Sequence, residues 1–258
     1  MLQSNYPVFE KGRILKIEML EALRDMPLSI IHTKYNNFKD GILQGFHLSI
    51  NENKICVTPG LLKVCNQILV MEQPVFIPYQ AADELTRLVI SIDAPEETPD
   101  MKQYSASIQF ISEQPKKENQ WELMRFKLKK GAYLRTAYQS FEDMITEYNT
   151  VNPMYRKNAL DNQYGVSAEM LELFCFYAGK SKSDLPIDQM FCLQVFQNSS
   201  GITLDTIQYY ISQRLKEEFN STDPLKIHQK LSEILRIIRM NQQEVNPKGT
   251  RNRKLIVD

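Results

Sequence analysis

DGILQGFHLSINENKICVTPG, residues 40–60, holds the pattern that decides the fold of this chain. Phe46, Leu48 and Ile50 alternate with His47 and Ser49, the period of two that marks a half-buried strand. Asn51, Glu52 and Asn53 supply turn chemistry, Ile55 and Val57 resume the alternation, and Pro59-Gly60 makes a second turn. Asp40-Gly41 sets a turn ahead of them, and Gly45 closes the DGILQG segment. So much hairpin in so short a run, with no nucleophile, base or metal-ligand set beside it, reads as architecture.

Outward from this stretch the period changes. On the N-terminal side, Ile14, Ile17, Leu20 and Leu23 of GRILKIEMLEALRDMP fall at helical spacing, and Pro27 is expected to end the helix. On the C-terminal side, LLKVCNQILVMEQPVFIPY, TRLVISIDA, YSASIQFISE and WELMRFKLKK bring the strands to about six, as in an antiparallel sheet or sandwich. From residue 131 onward helical segments replace strands. AYQSFEDMITEYN is expected to be helical, and NPMYRKNALDNQYG to be a polar break. Ser167 is placed to cap the next helix, with Gly179 as its stop, and Thr203 to cap a later one. Pro186 and Pro224 suit the first turns of their segments. The segregation predicts an α+β chain. An antiparallel β-sandwich-like domain with a leading helix (1–133) precedes an α-helical bundle with a short basic tail (134–258).

Composition closes several routes. Among 258 residues, 31 Lys and Arg balance 31 Asp and Glu, so net charge steers the chain toward neither nucleic acid nor anionic membrane. No apolar run approaches the roughly 18 residues of a membrane span, and MLQSNYPVFEKGR lacks the apolar core of a signal peptide. Cys56, Cys65, Cys175 and Cys192 show no metal spacing and sit in apolar settings that suit buried reduced thiols, which fits a reducing compartment. P-loop, GxGxxG, HExxH and GxSxG motifs are missing from the sequence. His32, His47 and His228 are far apart, and the pairs Glu96-Glu97, Glu142-Asp143 and Glu217-Glu218 read as solvated surface. The expectation is a non-enzymatic chain with no catalytic residues, cofactor or metal.

Two features point to interaction. In the last helix Ile227, Leu231, Ile234, Ile238 and Asn241 step at heptad-like spacing, which fits either packing inside a bundle or a docking seam. The isoleucines and Leu231 are the interface candidates, together with Arg251, Arg253 and Lys254 of the tail. That tail, with Lys248, carries a basic cluster without interleaved aromatics, a weak nucleic-acid signal, and its closing LIVD has the character of a strand that pairs with a neighbour.

The order of features in FEKGRILKIEMLEALRD, YNNFKDGILQGFHLSI and KICVTPGLLKVCNQILVMEQPVFIPY resembles structural proteins of phage-type baseplates and contractile injection particles, over residues 9 to about 92. A β module followed by a helical one is also similar in outline to the trimeric baseplate adaptor of type VI secretion. Cys65-Asn66 stands where that pattern has a glycine. The resemblance implies a β-rich module that docks or displays tail components. It also implies a homo-oligomer with other tail or baseplate subunits as partners. Assembly would then occur in the cytoplasm, with the finished chain in a virion or a released tail-like particle. A stand-alone carbohydrate- or protein-binding module is the alternative, resting on Tyr79, Tyr104 and Trp121 as exposed loop aromatics.

Overall fold

The computed structural model describes residues 5–112, 116–146, 148–198 and 201–245, the last four of these as helix backbone alone. Residues 40–60 form one long hairpin that bends in the middle. Strand β1 (Gly41–Gly45) continues as β2 (Leu48–Asn51), turns back into β3 (Lys54–Val57) and continues as β4 (Gly60–Val64). Leu48 pairs with Val57 on the outer arm and Gly45 with Gly60 on the inner one. Between them the ladder is carried by Phe46 N donating to Pro59 O (3.2 Å) and Thr58 N to His47 O (3.0 Å). At the bend the chain leaves one sheet and enters another.

The corner is closed by its two glycines. Phe46 adopts φ 55 and turns its ring inward, flat against Gly60, where any Cβ would stand 2.5 Å from the ring. Gly45 has φ +76, and a Cβ there would lie 2.1 Å from Pro59 O. Leu48 and Ile50 are half-buried and His47 and Ser49 exposed, so the expected alternation holds through the outer arm.

The inner arms join a five-stranded sheet. β4 pairs with β5 (Gln67–Met71), and β1 pairs on its other side, in parallel, with β12 (Asn158–Ala159), which carries β13 (Tyr164–Gly165). The outer arms pair with β6 (Val75–Pro78). A further sheet places β7 (Leu85–Ile92) between β10 (Ala106–Ser112) and β11 (Gln120–Lys127), and β8 (Glu96–Glu97) and β9 (Lys102–Gln103) form a small ribbon. Ile42, Ile55, Val57, Leu62, Leu88, Met124 and Phe126 from these sheets meet in one core. The β4–β5 hairpin turns on Cys65-Asn66, at φ 47 and 66, with Cys65 N held by the Asp40 carboxylate at 3.0 Å. Local hydrogen bonding thus holds a left-handed turn without glycine, and it leaves Cys65 exposed rather than buried.

A second core lies among α2 (Ala168–Lys180), α3 (Pro186–Gln197), α4 (Leu204–Leu215) and α5 (Pro224–Val245). Ser167 and Thr203 cap α2 and α4 through bonds from Met170 N and Thr206 N, and Pro186 and Pro224 open α3 and α5, as expected. α2 runs one residue past Gly179. The described chain is therefore mixed α and β, with five α-helices and several sheets.

Three expectations fail. AYQSFEDMITEYN contains only a 3-10 turn, Glu142–Ile145, because Asp143 is tied to Arg135 (2.6 and 2.8 Å) and Phe141 and Met144 turn into the helical core. Residues 134–165 do not belong wholly to the helical half: Val151 enters the β core, and β12 and β13 extend the five-stranded sheet. Pro27 does not end the first helix, α1 (Ile17–Tyr35), but lies inside it. α1 buries no residue, so water can satisfy the carbonyl that proline leaves without a partner.

The corner sets a stability prediction. Gly45→Ala adds left-handed strain and a backbone clash, and should lower unfolding free energy by about 4 kcal/mol. Gly131→Ala shares the positive φ (+83) but meets nothing within 4 Å, and should lose only about 1 kcal/mol. Urea midpoints compare the two; equal losses would show that the corner is not sterically closed.

Candidate functional site

The hairpin corner is also where the two cores are fastened together. At the bend, the carbonyls of Gly45 and Phe46 are met by Arg156, from the loop before β12, which is 4% exposed. Its guanidinium donates to Gly45 O, to Phe46 O (3.1 Å), to Asn158 Oδ1 (3.2 Å) and to Glu169 Oε1 (2.8 Å). Glu169 stands in the first turn of α2, beside the capping Ser167, whose hydroxyl donates to its other oxygen at 3.1 Å. An acidic group there is also favoured by the helix dipole. His47, across the corner, lies 3.6 Å from the same carboxylate.

These charges set each other's ionisation. Burial alone would raise the Glu169 carboxyl, but the Arg156 charge and the bond from His47 outweigh it and bring it down to about 2. His47 is raised from its ordinary value, first by its bond with Glu169, against the opposing pull of desolvation. The arrangement holds a sheet corner and a helix N-terminus in fixed relation; it presents no nucleophile with a base. Among the described residues no group of three or more His, Cys, Asp or Glu is placed to hold a metal.

A second fastening mounts α1. Lys63 of β4, 5% exposed, donates to three carbonyls at the helix C-terminal end: Tyr35 O (2.8 Å), Asn36 O (3.1 Å) and Phe38 O (2.7 Å). A cation there complements the helix dipole. Asn162 N donates to Asn37 O (2.8 Å) and Lys39 N to Leu160 O (3.2 Å), so the β12–β13 turn grips the same end. The rest of α1 projects, leaving Ile17, Leu20, Leu23, Leu28, Ile30 and Ile31 exposed. A smaller apolar surface lies on α3 and α4, where Met190 and Tyr209 flank a cleft of about 400 Å³.

The residues singled out in the sequence divide sharply. Asp40, Gly41, Gly45, Pro59 and Gly60 do gather at the hairpin, with Gly41 paired to Lys63. Ile227, Leu231, Ile234 and Ile238 are 0–2% exposed within their own helical core, so the docking-seam reading of α5 gives way to packing against α2 and α4. Arg251, Arg253 and Lys254, with the rest of the tail, lie outside the described residues. Tyr79 is buried, bonding Glu52 O (3.1 Å), while Tyr104 and Trp121 are half-buried, which removes the exposed-aromatic basis of a glycan module. His228 is buried rather than superficial, stacked on Phe141 at 4.2 Å with Nε2 3.0 Å from Phe141 O; burial lowers its pKa. In the carboxylate pairs Glu142-Asp143 and Glu217-Glu218, Asp143 binds Arg135 and Glu217 binds Lys230.

The sequence reading missed Arg156, Glu169 and Lys63. Arg156 fell in a segment read as a polar break, and no periodicity marks it. Its signal was indirect: a corner with two glycines leaves carbonyls that need a donor.

No protein family matches the sequence, and no curated protein matches it. Among solved structures the chain has type VI secretion baseplate proteins as neighbours. A chain of the TssK-TssF-TssG baseplate subcomplex is 7% identical, with 91% of this chain and 100% of that chain covered and a TM-score of 0.39. TssK is 7% identical, with 92% of this chain and 69% of that chain covered and a TM-score of 0.33. Neither score reaches the level of a shared fold.

The clamp predicts a pH dependence. The folded Glu169 pKa of about 2 lies below its ordinary 4.5, so its contribution is full above that value and is lost as pH falls toward 2. The raised His47 contributes below 6.5 and is lost as pH rises through its folded value. Glu169→Gln leaves Arg156 buried without its counter-charge and should cost about 3 kcal/mol near neutrality. It should also flatten the acid limb of a stability profile measured by urea unfolding. An acid limb unchanged in Glu169→Gln would show that the clamp does not hold the two cores.

Proposed function

We propose that this chain is a non-enzymatic structural subunit of a phage-tail-like baseplate or contractile injection particle. It works by oligomerisation and by docking other subunits, with a sandwich-like β part as its platform and the helical bundle fixed to it. It assembles in the cytoplasm into a larger particle. The observation that carries this reading is α1, a 19-residue helix anchored at one end that exposes Ile17, Leu20, Leu23, Leu28, Ile30 and Ile31. A monomer gains nothing from holding such a surface out, whereas a building block does: contiguous exposed apolar patches on soluble chains mark interaction sites. The N-terminal resemblance to baseplate structural proteins supports the same reading.

Sedimentation of the tagged chain from cells that naturally encode it, with mass spectrometry of the fast fraction, is the test. The expected result is recovery in megadalton particles beside sheath, tube or baseplate proteins. Recovery only as a small species, while such particles are being made, would overturn it.

A further inference from the structure

We infer that Cys175 and Cys192 form a thiol pair that a hydroperoxide closes into a reversible disulfide, stapling α2 to α3. The structural role proposed above does not depend on this pair, nor the pair on that role.

The placement follows from a helical hairpin. α2 and α3 are joined by residues 181–185 and pack on each other, and so short a connection makes them antiparallel neighbours. In such a pair, residues equally far from the connection stand level. Cys175 comes five positions before the last residue of α2, and Cys192 six after the first of α3, roughly 8 and 9 Å of helix. Their chain neighbours bear out the register: the rings of Phe174 and Phe191 meet edge to face with centroids 5.9 Å apart. The two thiols are hydrogen-bonded to each other. Cys175 is 2% exposed inside the helical core, and Cys192 packs half-buried against that core. Cys56 and Cys65 belong to the β part, in β3 and the β4–β5 turn.

The two sulfurs are unequal. Cys175 donates the hydrogen bond and Cys192 accepts it. That bond, aided by burial, raises the Cys175 thiol from its ordinary value. The same bond lowers Cys192, against the opposing pull of desolvation. The more accessible sulfur is therefore the one that ionises, while the buried one keeps its proton beside it. An accessible thiolate next to a second thiol is the arrangement that a reversible oxidation site requires.

The step runs in two parts. The Cys192 thiolate attacks one oxygen of the hydroperoxide; an S–O bond forms, the O–O bond breaks, and the departing oxygen takes up the proton that Cys192 had released. Cys175 Sγ then attacks Cys192 Sγ. The S–S bond forms, the S–O bond breaks, and the hydroxide leaves as water with the proton of Cys175. The pair loses two electrons and the hydroperoxide gains them. A dithiol reductant reverses the change. The staple ties α3 at mid-length to α2, whose first turn carries Glu169 of the clamp.

The test is to treat the reduced full chain with hydrogen peroxide, block remaining thiols by alkylation, and map the peptides by mass spectrometry without reduction. The expected product is a disulfide between Cys175 and Cys192 within one chain, removed by dithiothreitol. Cys175→Ala should leave Cys192 at the sulfenic acid, where dimedone traps it. Cys192→Ser should slow the loss of the Cys175 thiol by at least about 10-fold, because a buried protonated thiol is a poor nucleophile. Cys65→Ser should leave the yield of the disulfide unchanged. The wild-type measurement needs no substitution, so a variant that fails to fold does not remove the test. Cys175 and Cys192 both still alkylated after Cys65 has oxidised would overturn the inference. So would a disulfide that forms only once urea has unfolded the chain, or separate oxidation of the two sulfurs past the sulfenic acid with no bond between them.

Discussion

Arg156 is the residue on which the relation between the two halves of the molecule depends. A hairpin that bends from one sheet into another must leave backbone carbonyls at the bend without strand partners, and a buried carbonyl without a donor is expensive. Arg156 supplies donors to both, and being itself buried it needs a counter-charge. Glu169 supplies that charge from the first turn of α2, where the helix dipole favours it. Each group is thus required by the one before it: glycine corner, free carbonyls, guanidinium, carboxylate, helix start. The orientation of the helical core follows from the bend in the hairpin.

Lys63 performs the corresponding task for α1, by a similar logic. The last carbonyls of a helix have no intrahelical donor, and an ammonium from the neighbouring strand takes three of them at once. Burying a lysine to fix a helix that has no core of its own is unexpected if that helix only tethers an N-terminus. It is reasonable if the direction of the helix matters to something outside the chain.

What was legible in the sequence was whatever repeats locally. Residues 40–60 announced their alternation and turns, Ser167 and Thr203 their caps, Pro186 and Pro224 their helix starts. What was hidden lies in pairings between distant segments. β12 is two residues long, too short to show a period, and its partner Ile42 lies far earlier in the chain. Arg156 sits among residues that read as a polar break, because polarity in a sequence does not distinguish a solvated loop from a buried ion pair. The segment around Glu142 carries helical spacing, yet the pairing of Asp143 with Arg135 bends it into a single turn. Pro27 signals a helix end only where the freed carbonyl has no solvent, and on α1 solvent is all around it.

The two apolar helices show how far periodicity reaches. α5 has the cleaner stripe, and on sequence alone it was the better interaction candidate. Its stripe is clean because α2 and α4 fill one side of it and water the other. α1 spreads its apolar residues around more of the wheel and interrupts the seam with Arg24, so it looks less like a surface and more like an ordinary amphipathic segment. Periodicity reports that one face of a helix is covered, and it is silent on whether the cover belongs to the same chain. Only the fold divides the two cases. It leaves Ile227, Leu231, Ile234 and Ile238 with no room for a partner, and among the described residues it leaves Ile17, Leu20, Leu28 and Ile31 exposed.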